Sequence, residues 1–219
     1  MYKNLTNEQI SYIYGLFITD GYIKKQIQKT KVYYSLELEL QVLDKDIIEQ
    51  LQILLPEGHT SFRTRNTNFK NNAHYVIFRY SQQDLPLWLM QHGFPTINKT
   101  FTACPPAWDY DENAFWRGVI DGDGSLGIRK CQTKIGTEPY ISLTTQSEAL
   151  KLAYHDYILK ITGLNEKNKR NKRDNIYNIV LAKSRCWDLC DALYQNTTIH
   201  LNRKYQKYLE IINWRQQYA

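Results

Sequence analysis

The feature that most restricts how this chain can fold is an internal repeat. Ile13-Tyr14-Gly15-Leu16-Phe17-Ile18-Thr19-Asp20-Gly21 and Trp116-Arg117-Gly118-Val119-Ile120-Asp121-Gly122-Asp123-Gly124 read as copies of one another, each position 103 residues from its mate in a chain of 219. A period of about half the chain is the mark of a duplication. Each copy is a mostly apolar helical segment with an internal Gly and an Asp-Gly end. Glycine within a helix costs about 1 kcal/mol relative to Ala, so Gly15 and Gly118 need a packing reason. With Thr19 and Gly122 they place small residues one turn apart on each helix, which lets two backbones approach closely. Each helix is expected to stop near its Asp, with Gly21 or Gly124 taking the left-handed conformation just past the end. Packed side by side, the helices would bring Asp20 and Asp123 out together at the bottom of the seam. Two carboxylates beside two negative helix ends repel unless a cation lies between them. Hard oxygen donors of this kind suit Mg²⁺, held through one or two carboxylates, water and substrate phosphate.

Both stretches resemble the signature of the LAGLIDADG homing endonucleases, in the form with two motifs in one chain. The resemblance covers essentially the whole length, because the segment after each motif also repeats. The second motif is close to the family pattern. The first departs at Ile13, Tyr14 and Ile18, the last a position where the family often has an acid. The penultimate acid, which serves metal in the family, is kept as Asp20 and Asp123. The resemblance implies an α+β fold of two pseudo-symmetric αββαββα repeats, whose antiparallel sheets form a DNA-binding saddle around the packed motif helices. Residues 1–93 would form the first repeat, 94–112 a linker and 113–219 the second. The implied activity is site-specific hydrolysis of both strands of a duplex with a long, partly two-fold target. The implied cofactor is Mg²⁺, with Mn²⁺ or Ca²⁺ able to substitute in binding. A monomer is expected. A non-cleaving intron-RNA maturase or DNA-binding protein on the same scaffold is the alternative, so the chain's own intron RNA is a further candidate partner.

Charge agrees with a polyanionic partner: the net charge is +6 and the isoelectric point is near 9.0. Cys104, Cys131, Cys186 and Cys190 contain no CxxC pair. Cys186 and Cys190 fall one helical turn apart, which reads as core thiols in a reducing, intracellular compartment. No apolar leader and no run long enough for a membrane helix occurs, so neither signal peptide nor membrane span is expected. The termini lack intein splicing residues, from which an intron-encoded or free-standing protein is expected. An EF-hand loop starting at Asp121 would need Glu where the sequence has Gln132, and the five His share no zinc-ligand spacing.

After the first motif, residues 22–29 alternate as a strand with Tyr22, Lys24, Gln26 and Gln28 on one face. Residues 35–41 turn Leu36, Leu38 and Leu40 inward and Ser35, Glu37, Glu39 and Gln41 outward. A helix over 44–55, strands over 60–65 and 74–80, and a helix over 84–92 come next. The second half repeats the plan with strands over 125–132 and 140–146, a helix over 147–161, a strand over 175–182, and helices over 184–194 and 202–218. Lys24, Arg63, Arg65 and Arg79 lie on strands whose other face is apolar. Such a sheet can set its polar face into a DNA major groove, where Arg, Lys and Gln read base edges. Glu37 and Glu39 work against this, although a carboxylate can accept from cytosine N4; a solvated face is the other reading. Arg129, Ser142 and Thr144 take the matching places in the second half. The most basic run, Lys167, Lys169, Arg170, Lys172 and Arg173, is expected at a hairpin tip before residue 175, contacting phosphate.

The resemblance also assigns active-site roles outside the motifs. A basic residue near the scissile phosphate corresponds to Lys99, within Asn98-Lys99-Thr100. Its mate is Arg203 or Lys204, with Lys204 preferred for its Lys-x-x-x-Tyr-like spacing. A polar residue at the end of the second strand, which orients water near the metals in the family, corresponds to Gln146. Asp44 is taken as its counterpart in the first half, with a helix N-cap as the alternative role for Asp44.

Overall fold

A computed structural model describes residues 4–66, 71–131, 136–165 and 169–218. Its centre is the pair of motif helices, α1 (Asn7–Thr19) and α5 (Glu112–Asp123). Each begins at a side-chain cap. The Thr6 hydroxyl accepts from Gln9 N while Gln9 Oε1 accepts from Thr6 N, a reciprocal capping box. The Asp111 carboxylate accepts from Ala114 N.

The two helices touch along their glycines. A Cβ on Gly15 would collide with the Phe115 carbonyl oxygen, and one on Gly118 would lie 2.7 Å from Leu16 N. A Cβ on Gly122 would run into the Thr19 hydroxyl. Backbone therefore packs on backbone, and Tyr12, Ile13, Leu16, Phe115, Val119 and Ile120 are buried around it. The glycines that end the motifs differ from the expected left-handed caps. Gly124 is extended at φ −86°, ψ 174°, and both Gly21 and Gly124 are the first residues of strands. Their need is space: a Cβ at Gly21 would sit 2.9 Å from Phe17 Cα, and one at Gly124 2.8 Å from Ile120 Cα.

In the first half, β1 (Gly21–Gln28), β2 (Lys31–Gln41), β3 (His59–Arg65) and β4 (Ala73–Tyr80) form an antiparallel sheet ordered β1-β2-β4-β3. A 3-10 turn, Val42–Asp44, leads into α2 (Lys45–Leu54), and α3 (Asp84–Gln91) follows the sheet. Leu36, Leu38, Val76 and Phe78 face inward against Ile47, Ile48 and Leu51 of α2. The linker holds a four-residue helix not expected from sequence, α4 (Lys99–Thr102). Trp108 of the linker packs edge-on to Tyr14 and beside Trp88, tying it to the first half.

The second half contains β5 (Gly124–Lys130), β6 (Thr137–Thr145), α6 (Glu148–Thr162), β7 (Tyr177–Ala182), α7 (Trp187–Tyr194) and α8 (Asn202–Tyr218). Among the described residues its sheet has three strands, ordered β5-β6-β7. The described part of the basic run lies in the connection from α6 to β7, where no strand forms among the described residues. Arg and Lys interleaved with Asn over 169–173 offer no apolar alternation to hold a strand on the core. Residues 183–186 form a 3-10 turn, so α7 begins later than expected, and buried Cys186 and Cys190 are free thiols in this region's core.

Candidate active site

Asp20, which caps the C-terminus of α1, and Asp123, the last residue of α5, are exposed at the foot of the α1–α5 seam. The protein packed around them still pushes the Asp20 carboxyl up to about 6, first through lost hydration and then through the charge of Asp123. Asp123 is raised by the same loss of hydration. Lys99 and Lys204 oppose both shifts. For Asp20 the stronger influence is Lys204, and for Asp123 it is Lys99, so each carboxylate feels most strongly the lysine supplied by the other half.

The lysines have a second role that their sequence did not announce. Lys99 Nζ donates to the carbonyls of Thr19 (2.5 Å), Gly21 and, at 3.4 Å, Phe17. Lys204 Nζ donates to the carbonyls of Ile120 (2.5 Å), Asp121 (2.7 Å) and Gly124 (2.7 Å), with Gly122 at 3.4 Å. Each ammonium thus closes the C-terminus of one motif helix, satisfying orphan carbonyls and offsetting the negative end of the dipole. This identifies Lys204 as the counterpart of Lys99. Arg203 points elsewhere, its Nε and Nη2 donating to Asp44 Oδ1 and Oδ2 at 2.9 and 3.0 Å. Burial lowers both lysines, Lys204 to about 8.

Gln146 lines a cleft of about 350 Å³ with Thr19, Lys99, Thr100, Asp123 and Thr144. Strand register corrects the pairing of its counterpart. Gly21 pairs with Leu38, and Gly124 with Leu143, so Leu38 and Leu143 are equivalent. Three residues further on stand Gln41 and Gln146. Asp44 belongs instead with Ser147, the residue before the following helix in each half. The second hairpin is longer by two residues, and the 3-10 turn Val42–Asp44 restores the same two in the first half. The two changes cancel by Asp44 and Ser147, which return to the 103-residue spacing of the motifs, whereas Gln41 and Gln146 are 105 apart. Asp44 makes no side-chain cap bond to α2, and its charge reaches Asp20.

A family model for LAGLIDADG-like domains matches residues 7–84 and 111–213, one match over each half. The chain belongs to this family. Solved structures similar to it include the LAGLIDADG meganuclease I-AabMI bound to uncleaved DNA, at TM-score 0.62 and 10% identity over 97% of this chain and 91% of that one. I-CpaMI bound to uncleaved DNA matches at TM-score 0.63 and 10% identity, over 98% and 93%. The homing endonuclease I-SmaMI bound to cleaved DNA matches at TM-score 0.61 and 11% identity, over 96% and 88%. The α+β architecture of two repeats is thus that of the LAGLIDADG meganuclease fold. No curated protein sequence matches the chain.

In this LAGLIDADG chain the expected DNA-contact residues of the first half share one sheet face, as the ladders show. Lys24, Gln26 and Gln28 of β1, Glu37, Glu39 and Gln41 of β2, Arg79 of β4, and Arg63 and Arg65 of β3 alternate with the inward residues. The acids are not open acceptors. Glu37 is 3% exposed and receives Arg79 Nε at 2.7 Å and Tyr22 Oη at 2.6 Å, with Lys24 at 3.5 Å. Burial alone would raise the Glu37 carboxyl, but these donors outweigh it and hold it low. Glu39 takes Arg63 through paired bonds, the shortest 2.5 Å, and Arg65 at 3.4 Å. Two acids therefore orient four cations and leave the face net positive. In the second half Arg129 donates to Glu138 at 3.0 Å on the face shared by Ser142 and Thr144. Of the basic run, Lys169 and Lys172 are exposed and Arg173 pairs with Asp174 at 2.8 Å. Arg170 folds back onto the Gln146 carbonyl at 3.0 Å and over the Tyr177 ring. Lys167 lies outside the described residues.

Two positioning residues were missed. Asp121, 2% exposed, accepts from Tyr12 and Tyr194 hydroxyls at 2.7 Å each and from Leu201 N at 2.8 Å. It joins α1, α5 and the entry to α8, the helix that carries Lys204. Arg117, 2% exposed, donates to the Leu193 and Ile199 carbonyls and to Glu8 at 2.6 Å. The signal in each case was a charged residue within an apolar helical run, which folding tolerates only when fully partnered.

Proposed function

We propose that the protein is a site-specific double-strand DNA endonuclease that hydrolyses one phosphodiester in each strand at the seam between its repeats. The observation that carries this is the meeting of Asp20 and Asp123 at an exposed seam where Lys99 and Lys204 close the two helix ends. The donor set fits a divalent ion of the Mg²⁺ kind. Both carboxyls are raised, so a cation would relieve the cost of ionising them. Among the described residues no group of three or more His, Cys, Asp or Glu gathers, which leaves the remaining coordination to water and phosphate, as Mg²⁺ prefers. When bound, such an ion would polarise the phosphate and activate water.

The chain's own groups supply the rest. Asp20 and Asp123 would hold the ion. Lys99 and Lys204 place fixed positive charge beside the developing phosphorane charge, and act by charge because carbonyls occupy their donors. Gln146, with Gln41 as its counterpart, would orient water at the strand ends. The paired arginines of the first sheet face, Arg129, and Lys169 and Lys172 would bind the duplex.

The test is cleavage-site selection from a library of long duplexes in Mg²⁺, with Asp20→Asn and Asp123→Asn alongside. Cutting at one long, two-part sequence is expected, with each variant binding but losing double-strand cleavage by at least roughly 10³-fold, the scale of several kcal/mol of metal assistance. Tight binding without cutting in Mg²⁺ or Mn²⁺ would overturn the nuclease reading and direct the same assay to intron RNA.

A further inference from the structure

The repeats differ where the start of the post-hairpin helix meets the segment carrying the capping lysine. In the second repeat this junction is neutral and buried: Ser147 Oγ donates to the Ala103 carbonyl at 2.5 Å. In the first repeat it is the Asp44–Arg203 ion pair, made by the residue directly before Lys204. The residue directly before Lys99 is Asn98. A cation therefore occupies this position on one side of the seam only.

The pair borders the carboxylates, since Asp44 acts on Asp20 and Arg203 acts on Lys204. Asp44 is held in, with a side chain 14% exposed, whereas the Arg203 side chain is 55% exposed. An ion pair this open contributes little to stability. Its geometry is more informative. Asp44 takes the Nε–Nη2 edge of the guanidinium, and a planar fork fixed along one edge still presents its Nη1 end to a second oxyanion.

We propose that Arg203, oriented by Asp44, grips a backbone phosphate of one DNA strand only, so that the two repeats hold the two strands unequally. This rests on the duplex-binding reading of the seam. Asn98 can donate a neutral hydrogen bond at the matching place but adds no charge, so the opposite strand lacks the contact. Arg203 is then a positioning residue for one half of the reaction, and Lys204 beside it remains the helix cap.

The experiment is phosphate-ethylation interference on each labelled strand of a bound duplex in Ca²⁺, for the wild type, Arg203→Ala, Arg203→Lys and Asp44→Asn, with thermal unfolding to verify folding. Arg203→Ala should lose one interfering phosphate on one strand and leave the other strand's pattern intact. Its affinity should fall on the order of tenfold, as for a charged hydrogen bond, and the slope of log affinity against log salt should drop by about 1. Arg203→Lys should restore the slope but only part of the affinity, since an ammonium has no fork. Asp44→Asn should keep the slope with a smaller loss. Equal losses on both strands, or an unchanged pattern and slope in folded Arg203→Ala, would overturn the proposal. Should the wild type bind this duplex yet leave it uncut in Mg²⁺, the nuclease reading fails while the interference pattern still decides this one. Absence of any duplex binding overturns both.

Discussion

Lys99 and Lys204 do the same work in unlike surroundings. Lys99 is half-buried and reaches its carbonyls from a four-residue helix in the linker. Lys204 is 4% exposed, on the seventeen-residue α8, with Asp121 fixing the entry to that helix. Duplication supplied one chemical solution, an ammonium at the end of each motif helix, and each half then embedded it differently. Close packing at a shared seam constrains the ends of the two helices together. The means of delivering each lysine is constrained only by its own half.

The largest effect that tests this difference comes from deleting the ammonium. Lys204→Met should cost about 3 kcal/mol in urea denaturation, because several buried carbonyls lose their donor, whereas Lys99→Met should cost about 1–2 kcal/mol, because water can replace part of the loss. Equal costs would mean that burial does not separate the two caps.

The buried acids of the sheet faces make a second contrast. Glu37 serves Arg79, Tyr22 and Lys24, whereas Glu138 serves Arg129 at 3.0 Å and Lys183 only at 3.9 Å. Glu37→Gln should cost about 2 kcal/mol and Glu138→Gln about half that. The folded carboxyl of Glu37 lies below 4.5. Its contribution is therefore fully present above the unfolded value and is lost as pH falls through the folded one. The destabilisation of Glu37→Gln should accordingly shrink on acidification below about 4 in a pH series of melts.

The smallest effect has the opposite sign. With the Asp20 carboxyl at about 6 in the folded, metal-free protein, ionising it opposes folding. The penalty is complete above pH 6 and absent below the unfolded carboxylate range. Asp20→Asn should raise metal-free stability at pH 7 by about 1 kcal/mol once solvent screening of this exposed group is allowed for, with no gain at pH 3. Asp123→Asn should move in the same direction. A loss of stability in either variant would show that the carboxylates are held by partners rather than strained against one another.

The architecture was legible because its signals are local. The nine-residue repeat with internal Gly located both motif helices, and the Leu36-Leu38-Leu40 alternation fixed which face of the first sheet is buried. The Asp44–Gln146 pairing failed because the second hairpin is two residues longer, so that Gln41 and Gln146 stand 105 residues apart while the motifs stand 103 apart, and only ladder register shows this. Treating Glu37 as a possible base contact failed because alternation specifies the face but not the neighbours across strands that bury and occupy it.

The sequence by itself determined the duplication, the helix seam and the two carboxylates at its foot, since glycine spacing and apolar periodicity act over a few residues. Only the tertiary structure decided that Lys204 rather than Arg203 closes α5, that Gln41 is the mate of Gln146, and that Asp44 is taken by Arg203. Those outcomes depend on which orphan carbonyl or carboxylate lies within about 3 Å of a long flexible side chain. That distance is set by how α8 and the linker dock across the two halves, between residues as much as 159 positions apart, and no local pattern encodes it.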